Sequence, residues 1–359
     1  MLLHLVRRSP WSTRRHFSAT CRPSRFKILF LGRDEFSCAV FEELHRSRDV
    51  WEDLLVATNP DTYLGNSPLR PLAESLQVPV HLIPPEKSNF KHWEPPPPFS
   101  THSPNHVLIT ASFGRILTAT QLDLFPPSGR LNVHGSVLPA YRGPAPIQHA
   151  ILNSDPKTGV SIAQMLKRGI DKGPVWATAD IPISPDATFL SLRSELAELG
   201  GRLLVTVLRD MLAGKAKSTP QPPDSPTSHG RSITAADAVL DFESMTAEDI
   251  VTRYRAIGHQ RALTTWMPSG TRLLIYDPAV AHEPPKLSTV PGALVYHKPS
   301  RTLVIRCAKG TALAVPRVKK ERRSTLEARE FWNGVVPNPT LLVDGELRLL
   351  RLEGDDFGH

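Results

Sequence analysis

Cysteine is scarce in this chain of 359 residues, and long apolar runs are missing. The three cysteines are too few and too scattered for a disulfide framework or a clustered metal site, so we expect a reducing compartment and no bound metal. No apolar run approaches the roughly 20 residues that span a bilayer, which argues against a membrane protein. The motifs G-x-G-x-x-G and G-x-x-x-x-G-K-[ST] are also missing, so dinucleotide and nucleoside triphosphate binding lose their usual support.

Acidic residues are absent from the first 33 positions, which hold eight basic residues. These eight account for the whole formal net charge of +8, so the remaining chain is balanced and the high pI does not indicate nucleic-acid binding by the folded part. Residues 1–25 are rich in Arg, Ser and Thr, and their leucines precede the first basic pair, unlike in a secretory signal. We therefore predict a mitochondrial transit peptide over 1–25 and location in the mitochondrial matrix. The alternative is a basic tail that binds RNA or lipid.

Apolar segments alternate with amphipathic ones between residues 26 and 213. Strands are predicted for 26–32, 53–58, 78–83, 107–112 and 130–134, and helices for segments between and after them, including 36–45 and 188–212. Such alternation predicts an α/β domain over 26–213 with a mainly parallel sheet covered by helices on both faces. In this class ligands bind outside the carboxyl ends of the strands.

Proline is abundant, with 35 residues, and four of them lie in the segment GKAKSTPQPPDSPTSHGR. This composition predicts an interdomain linker over 214–230. Beyond it, one helical segment and several short strand-like runs predict a second, smaller domain over 231–336, a β-barrel or sandwich of the OB kind. Residues 337–359 are assigned to a C-terminal tail, for which the sequence indicates no function.

The segment RLNVH carries the strongest chemical signal. If it is a strand, its period of two places Asn132 and His134 on one face, about 6.6 Å apart. An amide N–H can donate to a developing oxyanion and an imidazole can exchange a proton, which suits attack by an amine on an acyl carbon. Asp171, in a Gly-Ile-Asp-Lys-Gly turn, could orient that imidazole. The alternative is structural, because such residues also serve as caps and turns.

Three blocks together resemble the folate-dependent formyltransferases: Asn132-Val-His134-Gly-Ser136-Val-Leu138-Pro139-x-x-Arg142-Gly143, then Gly159-Val-x-Ile, then Asp171-x-Gly173. The resemblance implies a Rossmann-like first domain that moves a formyl group from 10-formyltetrahydrofolate to an amine, with no metal. It also implies that three residues are catalytic: Asn132, His134 and Asp171. Four further residues would lie against the folate: Ser136, Val137, Leu138 and Pro139.

The similarity continues beyond the linker and covers roughly residues 26–336. It includes Tyr254-Arg-Ala-Ile-Gly258, Val295-Tyr-His-Lys298 and Phe331-Trp-Asn-Gly334. These segments resemble the family members that formylate initiator methionyl-tRNA for mitochondrial translation. The implied partners are that tRNA and folate, with no membrane and a monomeric protein. The implied β-barrel helps to bind the tRNA.

A basic stretch between residues 309 and 323 is a local patch in an otherwise balanced chain. The expected tRNA contacts are Arg142, Arg317, Lys319 and Lys320, whereas the alternative is a solvated barrel edge. The segment 59–71 offers only Arg70 where bacterial family members carry a longer basic loop. Two other functions stay open: formyl transfer to a small amine or water, and RNA binding by an inactive formyltransferase fold.

Overall fold

A computed structural model describes residues 25–60, 67–222, 229–335, 342–343 and 346–351. Nearly all of the predicted transit peptide, residues 1–24, lies outside these ranges, as do residues 223–228 of the predicted linker and much of the predicted tail. Within the described ranges, no helix is both long enough and apolar enough to cross a membrane.

The first domain is built on a seven-stranded sheet. Its strands are β1 (Phe26–Gly32), β2 (Trp51–Thr58), β3 (Val80–Leu82), β4 (His106–Ala111), β5 (Arg130–His134), β6 (Lys157–Gln164) and β7 (Val175–Pro182). The spatial order is β3-β2-β1-β4-β5-β6-β7, in which the first five strands are parallel and β6 and β7 are antiparallel to their neighbours. The prediction of a mainly parallel sheet is therefore confirmed.

Helices cover both faces of this sheet. They are α1 (Glu35–Arg46), α2 (Leu69–Ser75), α3 (Lys87–Phe90), α4 (Ala119–Asp123), α5 (Pro146–Leu152) and α6 (Phe189–Leu212). Alternate residues of β1 enter two separate cores: Ile28 and Phe30 face the core that includes α1 and α6, and Leu29 and Leu31 face the other. Burial on both faces explains why β1 is apolar at nearly every position. It also explains why the apolar run at residues 26–32 predicts this strand.

The second domain contains α7 (Ala247–Ile257), which is followed by two antiparallel sheets of four strands. The strands are β8 (Leu263–Trp266), β9 (Arg272–Tyr276), β10 (Ala279–Val280), β11 (Leu294–His297), β12 (Thr302–Arg306), β13 (Ala312–Val315), β14 (Arg317–Lys320) and β15 (Thr325–Glu327). Helix α8 (Ala328–Val335) follows. The sheet orders are β10-β13-β12-β11 and β15-β14-β9-β8. These antiparallel strands agree with the predicted small β-domain.

Part of the predicted tail belongs to this β-domain. Two short strands, β16 (Leu342–Val343) and β17 (Glu346–Leu347), pair with each other. The residues that follow bridge two edge strands: Leu350 exchanges backbone hydrogen bonds of 2.8 and 3.1 Å with Trp266 of β8, and Arg348 pairs with Ala293 beside β11. These bonds place the segment between the open edges of the two sheets. Its side chains Leu347 and Leu349 are buried there.

The two domains are in direct contact. Helix α5 packs on α7, and the Phe189 ring at the start of α6 stacks on His259, with ring centroids 3.8 Å apart. The chain that enters the second domain also contacts the first, because Gly230 donates its backbone N–H to Arg142 O and accepts from the backbone N–H of Ala145, both over 2.9 Å. The described parts of the linker therefore run along the first domain.

Candidate active site

The carboxyl half of β5 supplies two polar side chains among apolar neighbours. Leu131 and Val133 belong to one hydrophobic core, and the alternation of the strand turns Asn132 and His134 to the other face. Thr110 of β4 donates from Oγ1 to Asn132 Oδ1 over 2.8 Å. This bond fixes which way the carboxamide faces, because it engages the amide oxygen and turns Nδ2 outward.

Asp171 lies at the centre of the site. Its Oδ1 accepts a hydrogen bond of 3.2 Å from Asn132 Nδ2, and its Oδ2 accepts one of 2.9 Å from the backbone N–H of Gly143. Oδ2 is also 3.7 Å from His134 Nδ1, close enough for an ion pair when the ring is protonated. The structure thus brings the three predicted catalytic residues together around one carboxylate.

Asp171 reaches this position through the loop after β6. Because β6 is antiparallel to β5, it ends beside the beginning of β5, where Met165 N–H donates to Arg130 O over 2.7 Å. The loop then returns along β5, and Asp171 adopts a positive φ of 52°, which is uncommon for a residue other than glycine. Gly173 closes the loop so tightly that a Cβ there would lie 1.9 Å from the carbonyl oxygen of Gln164.

His134 is held from both sides. Its side chain is 6% exposed, and while Nδ1 faces Asp171, Nε2 lies 3.0 Å from the carbonyl oxygen of Tyr141. A carbonyl oxygen only accepts, so Nε2 carries a hydrogen in this arrangement. Both ring nitrogens face oxygen acceptors, and this geometry suits the imidazolium ion, in which both nitrogens are donors.

The loop after β5 is fixed by hydroxyl groups. Ser161 of β6 accepts from the backbone N–H of Leu138 and donates to the carbonyl oxygen of Ser136, both over 2.8 Å. Ser136 in turn donates to Ala140 O over 2.6 Å. Of the four residues expected against the folate, Ser136 and Leu138 are buried, whereas Val137 and Pro139 are half-buried.

Several contacts of the site involve residues that the motifs did not indicate. Tyr141 acts through its backbone carbonyl, and Ser161 through its hydroxyl. Gln221, from the predicted linker, contacts Arg142 and the backbone beside Asp171. The sequence could show none of these, because backbone contacts leave no pattern and a proline-rich segment resembles a spacer.

The four expected tRNA contacts do not form one cluster. Arg142 lies in the first domain beside Asp171, with its guanidinium bound to Gln221. On β14, Arg317 forms an ion pair with Asp277, and Lys320 lies over the Phe331 ring at 5.3 Å. Lys319 is half-exposed on that strand, on the face opposite the buried Val318.

A second polar group lies where β1 and β4 end, at the point at which the strand order reverses. Asp34 caps α1 by accepting from Ser37 N–H over 3.2 Å, and it also accepts from the Ser112 hydroxyl. Burial raises the pKa of the Asp34 carboxyl, although the hydrogen bond from Ser112 opposes that shift. The described residues contain no group of three or more His, Cys, Asp or Glu that could hold a metal ion.

Comparison with known proteins identifies the family. The formyl transferase model matches residues 26–208, and the model of the formyl transferase C-terminal domain matches residues 232–336. The mitochondrial methionyl-tRNA formyltransferase of Mus musculus is 33% identical over 324 residues, covering 86% of this chain and 78% of the relative. The methionyl-tRNA formyltransferase of Janthinobacterium sp. is 32% identical over 319 residues, covering 86% of this chain and 97% of the relative.

Solved structures with low identity share the fold. The sugar 3N-formyl transferase WlaRD superimposes with a TM-score of 0.58 at 15% identity and covers 83% of this chain and 99% of its own. HypX from Aquifex aeolicus, in complex with tetrahydrofolic acid, gives a TM-score of 0.57 at 18% identity over 86% of this chain and 47% of its own. From the two family models and the relatives at about a third identity, we conclude that this chain belongs to the formyl transferase family.

Proposed function

We propose that this protein transfers the formyl group of 10-formyltetrahydrofolate to the α-amino group of initiator methionyl-tRNA. The observation that carries the proposal is the Asp171 carboxylate, which accepts a hydrogen bond from Asn132 and faces the ring of His134. Membership of the formyl transferase family supports the donor, and the methionyl-tRNA formyltransferases among the relatives support the acceptor.

Asn132 and His134 stabilise the charge that develops on the formyl oxygen. The neutral amine forms a bond to the formyl carbon, and the oxygen becomes an anion. Asn132 Nδ2 carries two hydrogens, and since Asp171 engages one of them, the other can donate to that oxygen. The protonated ring of His134 supplies the second stabilising charge.

Asp171 keeps the His134 ring oriented while the proton moves. The bond between the formyl carbon and N10 of the folate breaks, and the proton that the amine loses passes to N10 with the help of His134 and Asp171. Formyl and hydrogen exchange places, so the step needs no oxidant and no covalent link to the enzyme. The ion-pair distance of 3.7 Å lets the carboxylate hold the ring's positive charge.

The folate would lie against the loop from Ser136 to Pro139. Two exposed apolar side chains lie on loops that flank the site: Ile116, 72% exposed, after β4, and Ile170, 59% exposed, beside Asp171. Exposed apolar side chains beside convergent polar groups fit a flat heteroaromatic ligand. These exposed apolar side chains support the assignment of the folate to this site.

The tRNA would contact basic residues of both domains: Arg142, Arg317, Lys319 and Lys320. The proposed domain organisation follows the predictions, with residues 1–25 as a transit peptide and 214–230 as the linker. Relatives from mouse and human are mitochondrial enzymes. The proposal places this protein in the mitochondrial matrix as a monomer that prepares formylmethionyl-tRNA for the initiation of translation.

The test uses the protein without residues 1–25, mixed with 10-formyltetrahydrofolate and either methionyl-tRNA or free methionine. Formylmethionine is detected by mass spectrometry after mild ester hydrolysis. We expect formylation of methionyl-tRNA alone. Consumption of the folate without formylation of either acceptor would instead indicate a hydrolase or an enzyme for another amine. No reaction at all would leave RNA binding as the function.

A further inference from the structure

A glutamine of the predicted linker is bound into the catalytic site. We infer that Gln221 is a positioning residue, which fastens the loop of Asp171 to the loop of Arg142 and so holds the surroundings of His134 in place. The inference rests on the proposed function, because it assigns Gln221 a part in the same reaction. It is independent of the motifs, none of which includes this residue.

All four hydrogen-bonding positions of the Gln221 carboxamide are used. Nε2 donates to the carbonyl oxygens of Asp171 and Gly173 over 2.9 and 2.7 Å. Oε1 accepts from Arg142 Nε over 3.0 Å and from Arg142 Nη2 over 2.7 Å. A carboxamide has two donors and two acceptor lone pairs, so this side chain is saturated. A glutamate would keep the acceptors and lose both donors.

The two loops that Gln221 joins are those that face the two nitrogens of His134. One carries Asp171, beside Nδ1, and the other carries the Tyr141 carbonyl oxygen, beside Nε2, with Arg142 as the next residue. The Asp171 backbone has φ of 52°, a conformation that a residue with a side chain keeps only when its surroundings hold it. The bonds to the carbonyl oxygens on both sides of Lys172 supply such a constraint.

The linker is anchored to the first domain on both sides of Gln221. Before Gln221, Thr219 and Val175 exchange two backbone hydrogen bonds of 2.8 Å. After residue 228, Gly230 bonds to Arg142 and Ala145. Since this segment also leads to the second domain, movement of the linker would change the position of Asp171. Gln221 therefore makes the linker a part of the catalytic unit.

The test replaces Gln221 by methionine, which has a similar length and no hydrogen-bonding amide. We expect kcat for formylation of methionyl-tRNA to fall about 10- to 100-fold, because small displacements of reacting groups have effects of this size, with KM for 10-formyltetrahydrofolate within about twofold of the wild type. Gln221→Glu should lose nearly as much, since it keeps only the bonds to Arg142. The matched control is Lys217→Met, an exposed position of the same linker, which should behave as the wild type.

A double-mutant cycle tests whether Gln221 acts through Arg142. If it does, Arg142→Met and Gln221→Met combined should lower kcat little more than the worse single change. If the double variant instead lost kcat by the product of the two single losses, Gln221 would not act through Arg142. A wild-type kcat in both Gln221 variants would overturn the inference while leaving the proposed function intact.

Hydrogen–deuterium exchange gives a readout that does not depend on activity. We expect the backbone amides of Gly143 and Thr219, which donate to Asp171 Oδ2 and to Val175 O, to exchange faster in Gln221→Met than in the wild type, and to be unchanged in Lys217→Met. Unchanged exchange in Gln221→Met would contradict the positioning role even if the wild type failed to formylate methionyl-tRNA. A melting temperature equal to that of the wild type would show that the variant is folded, and Gln221→Glu repeats the test if Gln221→Met is unstable.

Discussion

Asn132 depends on two neighbours for its orientation. Thr110 engages its oxygen and Asp171 one of its N–H groups, so the remaining N–H has a fixed direction. We predict that Asn132→Ala lowers kcat by about 10² to 10³, the usual effect of removing one oxyanion donor. Steady-state kinetics with methionyl-tRNA measures kcat, and binding of 5-formyltetrahydrofolate by calorimetry serves as the control, which should be nearly unchanged. Turnover close to that of the wild type would remove Asn132 from this role.

The three candidate catalytic residues could be predicted because each belongs to a short motif. Asn132 and His134 follow from strand alternation together with the family resemblance, and Asp171 from its glycine-flanked turn. Their support could not be predicted. Tyr141 contributes a backbone oxygen, which any residue could supply, and Gln221 is nearly 50 positions from its closest partner in sequence. Contacts of this kind depend on how loops that are distant in sequence pack together, and a single sequence does not show that packing.

At the scale of elements, the segment after α8 completes the second domain. Leu349 is 2% exposed, and its backbone N–H donates to Gly292 O over 2.9 Å. We predict that Leu349→Ala lowers the free energy of unfolding by about 2 to 5 kcal/mol, the usual effect of such a truncation in a core. Chemical denaturation measures the change.

Arg351 provides the matched control for this prediction. It lies two residues further on and is exposed, with an ion pair of 2.9 Å to Asp241. Arg351→Ala should change the free energy of unfolding by no more than about 1 kcal/mol, because exposed ion pairs contribute little. Equal losses in the two variants would mean that the segment does not complete a core.

Apolar strands were predictable and charged ones were not. The runs that form β1, β2 and β4 are mostly buried, whereas β14 has the sequence RVKK, in which Val318 alone is buried. Its pairing with β9 and β15 gives it strand structure that no local pattern shows. The sequence likewise places residues 347–350 in a tail, because four residues are too few to show the alternation of a strand.

At the scale of the whole molecule, the stacked rings of Phe189 and His259 join the two domains, and His259 is titratable. The Phe189 ring covers one face of the otherwise exposed His259 ring, and this partial burial together with the charge of Arg193 lowers the pKa of His259 to about 4, from 6.5. Between pH 6.5 and pH 4 the unfolded chain takes up a proton at His259 that the folded chain does not. The contribution of His259 to stability should therefore be complete above pH 6.5 and be lost as the pH falls toward 4.

His259→Phe tests this pH dependence, because it keeps an aromatic ring and removes the titration. Melting temperatures are compared at pH 7.5 and pH 4.5. We expect the wild type to lose more stability over this interval than the variant, in which other acidic groups still act. Parallel curves for the two proteins would show that His259 makes no contribution.

The folded part of the chain is nearly balanced in charge, so tRNA binding would depend on local groups. Lys319 faces outward on β14 and forms no ion pair among the described residues, whereas Arg317 is paired with Asp277. We predict that Lys319→Ala weakens tRNA binding and reduces the slope of log K against log salt by about one unit if it contacts a phosphate. Filter binding over a series of salt concentrations measures the slope.

Lys27 is a suitable control for this experiment. It lies at the beginning of β1, at the edge of the sheet opposite the carboxyl ends of the strands. Lys27→Ala should leave the slope as it is in the wild type. If both variants gave the wild-type slope, Lys319 would not contact the tRNA backbone.

The path of the linker decides where this protein could be divided to build chimeras. A boundary drawn from composition would separate the domains at about residue 213, yet Thr219 bonds to the beginning of β7, and Gln221 and Gly230 bond to loops of the same first domain. A hybrid joined at residue 213 would bring a foreign segment against Asp171 and Arg142. The exchangeable unit therefore begins after Gly230, and an engineer who grafts a different second domain onto this enzyme should retain the proline-rich segment with the first domain.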